Sequence, residues 1–292
     1  MKYAWIKQHD KQFPTAVMSK VLQVSTSGYY AWLERQLSTR QQRHRYIAQA
    51  IGRSYFESER IYGYRKVHQD LLKANIVCCK ETVRRIMREI GLCSRVKRKF
   101  VLTTDSKHDM AIAENLLGRD FTTTFPNQKW VADITYIPTA HGWLYLAVVM
   151  DLYSRKIVGW SMSKHIDSEL VVSAMSMAVS QRKAVTGLLH HSDRGSQYAS
   201  EVFQAFLDEH NIVCSMSRKG NCWDNACMES FFGSLKTEWL SHKKYQTRQE
   251  AKDDIFKYIE LFYNSKRRHA ALGYLSPAAY EALYEVKQKQ VA

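Results

Sequence analysis

No CxxC pair occurs among the six cysteines, Cys78, Cys79, Cys93, Cys214, Cys222 and Cys227. Neither a zinc ribbon nor a redox pair is therefore signalled. Two adjacent cysteines with an unpatterned remainder fit reduced intracellular thiols. No apolar signal-peptide core opens the chain, because Lys7, His9, Asp10 and Lys11 arrive too early. The longest apolar run, Trp143 to Met150, falls far short of the roughly 20 residues of a membrane helix. Internal repeats and low-complexity tracts are also missing. These absences predict a soluble cytoplasmic protein with no membrane partner.

What is present is positive charge, unevenly spread. The 292 residues carry a formal net charge of +15. Residues 1–120 hold 23 Lys+Arg against 11 Asp+Glu, net +12, and the rest hold 20 against 17, net +3. The basic first part points to a polyanion partner. The nearly neutral remainder can gather carboxylates without a large opposing field. Hydrophobic content of 45% supports packed cores, and the length suits two or three domains.

Residues 1 to about 37 read as short helices about a turn at Ser25 to Gly28, a helix-turn-helix outline. Ser38 or Thr39 caps a longer helix reaching about Phe56. Residues 63–92 give a clearer helix pair. Its first helix carries Val67, Leu71 and Leu72, and its second carries Val83, Ile86, Met87 and Ile90. Arg84, Arg85 and Arg88 ride the second helix, either to lie along a DNA groove or as an ordinary solvated face. Arg95, Lys97, Arg98 and Lys99 form a basic run suited to phosphate contacts. Residues 100–125 have little periodicity and read as a linker.

From Trp130 the pattern changes to strands: 131–137, 143–150 and 156–162, with Ser154-Arg155 near the turn before the third, and two strands on a short connection suggest an antiparallel hairpin. Helix 167–181, strand 188–191, helix 200–210 and strand 212–216 follow. This order predicts a mixed α/β layer fold. A glycine-punctuated loop then enters a helix with Met228, Phe231, Phe232, Leu235 and Trp239 at spacings of three and four. On helical spacing, Asn225, Glu229, Gly233 and Lys236 share its other side. Thr247 to Glu250 is a capping-box pattern for a further helix, and Pro277 opens a last one.

Three acids stand out. Asp133 interrupts a strand, where Asp is disfavoured and a buried carboxylate needs a cationic partner. Asp193 follows a strand at its C-terminal end, where sites of α/β layers gather. Glu229 lies on the helix after the loop. Taken singly, they also read as a buried ion-pair partner, a loop cap and a surface residue. Together they can converge on a pair of Mg²⁺ ions, which prefer oxygen ligands. Such a pair stabilises both the attacking and the leaving oxygen of an in-line phosphoryl displacement.

The flanking residues extend each acid into a motif. Trp130-Val-Ala-Asp133-Ile-Thr-Tyr136, His191-Ser-Asp193-Arg-Gly-Ser-Gln-Tyr198 and Gly220 to Lys236 resemble, in order, the three motifs of Asp-Asp-Glu transposases and retroviral-type integrases. Tyr263-Asn264, Arg268-His269 and Leu272-Gly-Tyr-Leu-Ser-Pro277 resemble the C-terminal signature of one bacterial branch, the second-frame (OrfB) transposase of IS-three family insertion sequences. The similarity spans essentially the whole chain, including Met1 to Trp5 and Ser27 to Trp32. It implies a ribonuclease-H-like core with a mixed five-stranded sheet and flanking helices, preceded by an all-α helix-turn-helix region and followed by a helical tail. It also implies two Mg²⁺ or Mn²⁺ ions on Asp133, Asp193 and Glu229, with DNA cleavage and strand transfer at element ends. The implied partners are the element's terminal repeats, target DNA, further copies of the chain on DNA, and an upstream-frame (OrfA) protein with a leucine zipper. Two rival functions remain: a nuclease of the same fold that does not join strands, and a DNA-binding regulator inactive without its upstream partner.

Five regions follow: 1–60 helical, 61–99 helix-turn-helix-like, 100–125 linker, 126–241 catalytic core and 242–292 a C-terminal helical region. Lys236 is the candidate grip on the phosphate beside the reacting bond. Gly233 signals close approach either of DNA or of another helix. Asn225 either bonds near the metals and DNA or caps the helix with Asp224. Arg218 and Lys219 track DNA or line a wet loop. His191 reads as a structural histidine, and Gly195 serves the turn after Asp193. His44, His68, Cys78 and Cys79 lack the His-His-Cys-Cys spacing of retroviral integrases, so no N-terminal zinc is expected.

Overall fold

A computed structural model describes residues 1–95, 112–182, 187–218 and 222–291. Three short helices open it: α1 (Lys2–Gln8), α2 (Thr15–Val21) and α3 (Thr26–Glu34). They close on a small core of Ile6, Met18 and Tyr29. A side chain at Gly28 would strike the Tyr3 hydroxyl, so glycine is what lets α1 and α3 approach. α4 (Thr39–Glu57) begins at Ser38, whose hydroxyl accepts from Gln41 N while Gln41 returns a bond to Ser38 N. That reciprocal cap satisfies two amides a helix start leaves open.

α5 (Tyr64–Lys73) and α6 (Lys80–Glu89) pack against α4 through Ile47, Ile51, Val67, Leu71, Val83, Ile86 and Met87. Leu72 and Ile90, expected on the buried faces, are exposed, and His68 takes an inner position instead. Its Nε2 pairs with the Cys78 carbonyl at 2.9 Å. That bond satisfies one of its two ring nitrogens.

The sheet is built from β1 (Lys129–Thr139), β2 (Gly142–Asp151), β3 (Ile157–Ser163), β4 (Leu189–Ser192) and β5 (Val213–Met216), in the order β3-β2-β1-β4-β5. β1, β2 and β3 are antiparallel neighbours, while β4 runs parallel to both β1 and β5. This is the ribonuclease-H-like arrangement expected. One face is covered by α7 (Ser168–Arg182), α8 (Ser196–Ala199) and α9 (Glu201–Glu209). Gly159 on β3 makes the α7 contact possible: a Cβ there would lie 2.8 Å from Ala178 Cβ and collide with the Ala174 carbonyl.

The other face is covered by α10 (Ala226–Ser234), a π-helical turn at Leu235–Trp239, α11 (Arg248–Phe256) and a second π-helical segment at Lys257–Asn264. Met228, Phe231, Leu235, Ile255, Tyr258 and Ile259 share one core with Val131, Leu144 and Val148 of the sheet. That core runs unbroken across residue 241. α4 to α6 join it as well: Arg268 bonds Asp70 at 2.5 Å, and Tyr62 packs near Phe262 with the rings tilted and donates to the Lys266 carbonyl at 2.9 Å. α12 (Pro277–Val291) is tied down by Glu281, which pairs with Arg182 at 2.6 Å and with Lys156 at 3.1 Å.

Residues 112–125 do not hang free, although low periodicity reads as a linker. Leu117 is buried, and the Ser215 hydroxyl on β5 accepts from the amides of Leu116 and Leu117. Among the described residues, no helix is long and apolar enough to cross a membrane.

Candidate active site

β4 pairs with β1 from Lys129 to Val131, and beyond Val131 the two strands part. Asp133 stands two residues past that fork, and Asp193 follows the end of β4. The fork is a crevice at the carboxyl ends of parallel strands, where side chains from both strands can meet a ligand. Asp133 Oδ1 accepts from Ile134 N at 2.7 Å, and Asp193 Oδ1 accepts from Gly195 N at 2.9 Å. A Cβ on residue 195 would lie 3.1 Å from that Asp193 oxygen, so Gly195 leaves room for the carboxylate.

Burial pushes the Asp133 carboxyl well above the usual acid range, and the Asp193 carboxylate pushes it further; Glu229 adds to the push and Lys236 opposes it. The Glu229 carboxyl is also raised, by burial. Lys236 is lowered to about 8 by burial, against the pull of Asp133. Its Nζ lies 5.1 Å from the centroid of the Tyr136 ring. Three acids and one lysine thus share a single field.

They do not yet share a single point. Among the described residues, no three His, Cys, Asp or Glu side chains stand close enough to hold one ion. The expected convergence is a common field rather than a closed cage. The donor set fits a divalent cation: all ligating atoms are oxygens, the chemistry preferred by Mg²⁺ and Mn²⁺.

The approach to Glu229 is held by Asp224. Its buried carboxylate accepts from Arg218 N at 3.0 Å, Arg218 Nη2 at 2.9 Å, Arg119 Nε at 2.9 Å and Asn115 Nδ2 at 2.8 Å. Arg218, followed by Arg119, holds this acid well below the usual range against the effect of burial. Asp224 is therefore a clamp rather than a helix cap. His191 sits beneath, with Nδ1 2.8 Å from Ser215 Oγ and Nε2 3.1 Å from Ser217 Oγ. Burial lowers it to about 4, so it is a neutral structural histidine at physiological pH.

Three sequence families match the chain: an HTH-like domain over residues 41–100, an integrase core domain over 123–222, and a second integrase core domain over 229–283. The transposase InsF of insertion sequence IS3A from Escherichia coli (strain K12) is 41% identical over 283 residues, covering 96% of this chain and 98% of that one. This chain belongs to the IS3-family transposases. A 31 kDa protein of insertion element IS600 from Shigella sonnei is 43% identical, covering 91% of the transposase and 98% of its own length. Solved structures are more distant. The catalytic core of BIV integrase gives a TM-score of 0.42 at 17% identity, over 57% of the transposase and 99% of that chain. A simian T-cell lymphotropic virus intasome gives 0.41 at 17%, over 74% and 69%.

Other expected site residues fall in varied surroundings. Asn225, expected near the metals and DNA, is buried inside the transposase, 6% exposed, with Nδ2 on the Ala132 carbonyl at 3.0 Å. That burial is at odds with a DNA contact. Gly233 has open space where a Cβ would be, which rules out close helix packing as its reason. Lys236 stands on a π-helical turn that begins at Leu235, near enough to Asp133 for the two charges to act on each other. Arg218 is half exposed but engaged by Asp224. Arg84 and Arg85 are exposed and pair along α6 with Glu81 and Glu89, at 3.1 and 3.6 Å. Arg88 lines a groove of about 490 Å³ with Tyr64, Met87 and Leu92. Arg95 is fixed through its backbone to Arg60 and His242. Lys97, Arg98, Lys99 and Lys219 lie outside the described residues.

Asp224, Arg119, Asn115, Glu238 and Arg267 are structural supports that sequence reading misses. For Asp224 the available signal, an acid just before a helix, is also the signal of a cap.

Proposed function

We propose that the transposase cuts DNA at the ends of its element and joins the freed 3′ ends to target DNA, using two Mg²⁺ or Mn²⁺ ions held by Asp133, Asp193 and Glu229. The observation that carries this reading is the β1/β4 fork, which sets Asp133 two residues past the last β1 residue paired with β4 and Asp193 just past the end of β4, with burial and the Asp193 carboxylate raising the Asp133 carboxyl. When bound, the ions supply Lewis acidity at both oxygens of the in-line displacement. Asp133 and Asp193 offer carboxylate oxygens from the strand ends, and Glu229 offers a third from α10. Lys236 holds a positive charge beside the phosphate being exchanged. Gly233 leaves α10 bare where the DNA backbone comes close. The HTH-like region carries the DNA contacts, with Arg84, Arg85 and Arg88 on α6 and Arg95 beyond it. Two element ends must be held together, so several copies act on DNA, together with an upstream-frame (OrfA) partner.

The deciding assay uses purified protein, end-containing DNA labelled at the 3′ end, and Mg²⁺, with and without the upstream segment fused. A joined product supports the reading. Cleavage without joining makes the chain a nuclease, and binding without product makes it a regulator.

Two further results are expected. Replacing Arg84, Arg85 and Arg88 by Gln should weaken binding across sequences and flatten the plot of log K against log salt by about 0.9 for each phosphate no longer neutralised. A wild-type slope retained in the triple variant would take α6 off the DNA. The second concerns pH. An acid raised in the folded state binds more protons folded than unfolded. Metal-free protein therefore loses stability as pH rises from the ordinary Asp value of about 3.9 through the raised value. A divalent cation offsets this loss where the acids are ionised. Mn²⁺ at 100 times its Kd should add about 2.7 kcal/mol, roughly 5 °C in Tm. The gain should be larger at pH 7.5 than at pH 5; equal gains at both would separate the cation from these carboxylates.

A further inference from the structure

Where β4 leaves β1, the next β1 carbonyl along that edge belongs to Ala132. A buried carbonyl without a donor is costly. Asn225 supplies the donor: its Nδ2 lies 3.0 Å from Ala132 O, inside the protein. Asn225 is also the N-cap residue of α10, yet its side chain makes no cap bond. The side chain serves the strand through Nδ2, while Oδ1, the atom that would accept at the helix start, makes no cap bond.

The position of this bond matters. Ala132 is the residue before Asp133, and Asn225 lies one helical turn before Glu229. A single amide therefore ties the strand of one acid to the helix of another, whose charges already act on each other. The other end of the amide, Oδ1, is buried and has no partner among the described residues. A buried acceptor of this kind calls for a donor, and the waters that a small divalent cation retains are donors.

We propose that Asn225 is a positioning residue: its bond to Ala132 fixes the span between Asp133 and Glu229, so that both carboxylates reach the same pair of cations. This rests on the reading of those acids as metal ligands. Metal binding to the full chain without DNA tests it, read as the Mn²⁺ concentration at half-maximal gain in Tm. Asn225→Ser cannot reach Ala132, and its midpoint should rise about 10- to 100-fold, the usual effect of losing a support behind a ligand. Glu229→Gln should raise the midpoint comparably. The double variant should be no weaker than Glu229→Gln alone, because Asn225 acts through Glu229. Should Asn225→Ser fail to melt cooperatively, the isosteric Asn225→Asp serves. It loses the donor and should also weaken binding, although its added negative charge alone would tighten it.

A midpoint within about twofold of wild type, tightening in Asn225→Asp, or independent multiplying effects in the double variant would overturn the proposal. Asp133→Asn separates this outcome from failure of the wider reading. If Asp133→Asn moves the midpoint and Glu229→Gln does not, Glu229 is no ligand and the role of Asn225 falls. If neither moves it, the metal reading of the site falls too.

Discussion

Asp133→Ala, Asp193→Ala and Glu229→Ala are each expected to lower strand transfer by about 10³-fold or more, with DNA binding largely intact. The size follows from the chemistry. A metal site that loses a ligand loses several kcal/mol of charge stabilisation at the reacting phosphate, and about 4 kcal/mol is a factor of about 10³ in rate. On the proposed reading, binding is carried by the basic helices ahead of the core rather than by the three acids. A second expectation makes the test sharper. Asp133 is held in an unfavourable field by burial and by Asp193. Asp133→Asn removes a carboxylate that folding disfavours, so the metal-free protein should be at least as stable as wild type near neutral pH. Loss of activity with unchanged or raised Tm is the signature of a site kept for function at a cost in stability. Calorimetry on metal-free protein and a strand-transfer assay on one preparation give both numbers. Full strand transfer by any of the three variants would remove that residue from the reaction.

Much of this site was legible because its acids break local rules. An Asp in the middle of a Val- and Ile-rich strand has no packing reason to be there, and an Asp directly after a short strand lies where α/β sheets open. Strand alternation and helical spacing located the sheet and its helices to within a residue or two. Three features were not legible, each for a physical reason. The π-helical turn at Leu235–Trp239 interrupts a 3.6-residue period that runs straight through it in the sequence, and no residue type announces such a turn. Residues 112–125 look like a linker because Leu117, the partly buried Phe121 and hydrogen bonds to the Ser215 hydroxyl and the Asp224 carboxylate hold them, and none of these produces a periodic pattern. Asp224 reads as a cap until its partners, more than a hundred residues away in Arg119 and Asn115, are seen. The capping box at Thr247 shows the same limit at small scale. Thr247 does accept from Glu250 N, but Glu250 returns its bond to Gln246 N, one residue earlier than the motif implies.

Arg267→Ala is expected to be the most destabilising single change, costing about 3–5 kcal/mol, because it leaves a buried carboxylate without its partner. Arg267 and Glu238 are only 9% and 8% exposed. The guanidinium grips Glu238 with two bonds, Nε to Oε2 at 2.7 Å and Nη2 to Oε1 at 2.6 Å, and also reaches Ser234 Oγ at 3.0 Å. Glu238 and Ser234 belong to the two turns that follow Glu229, while Arg267 comes just after the second π-helical segment. The pair therefore buttons the C-terminal segment onto the element that carries the third acid, beside Trp239 stacked on Phe262 at 5.8 Å. A loss of 3–5 kcal/mol is a large part of the roughly 5–15 kcal/mol that holds a domain folded. Arg267→Lys should recover only part of it, since an ammonium cannot make the two-pronged contact. Arg267→Met combined with Glu238→Leu should recover most of it, because no charge is then left buried without a partner. Urea unfolding of the four proteins measures this order. If the double apolar variant were as unstable as Arg267→Ala, lost packing rather than an abandoned charge would explain the effect. Strand transfer adds a second reading: a double variant that is stable yet slow would show that this ion pair orients the helix of Glu229 as well as holding it down.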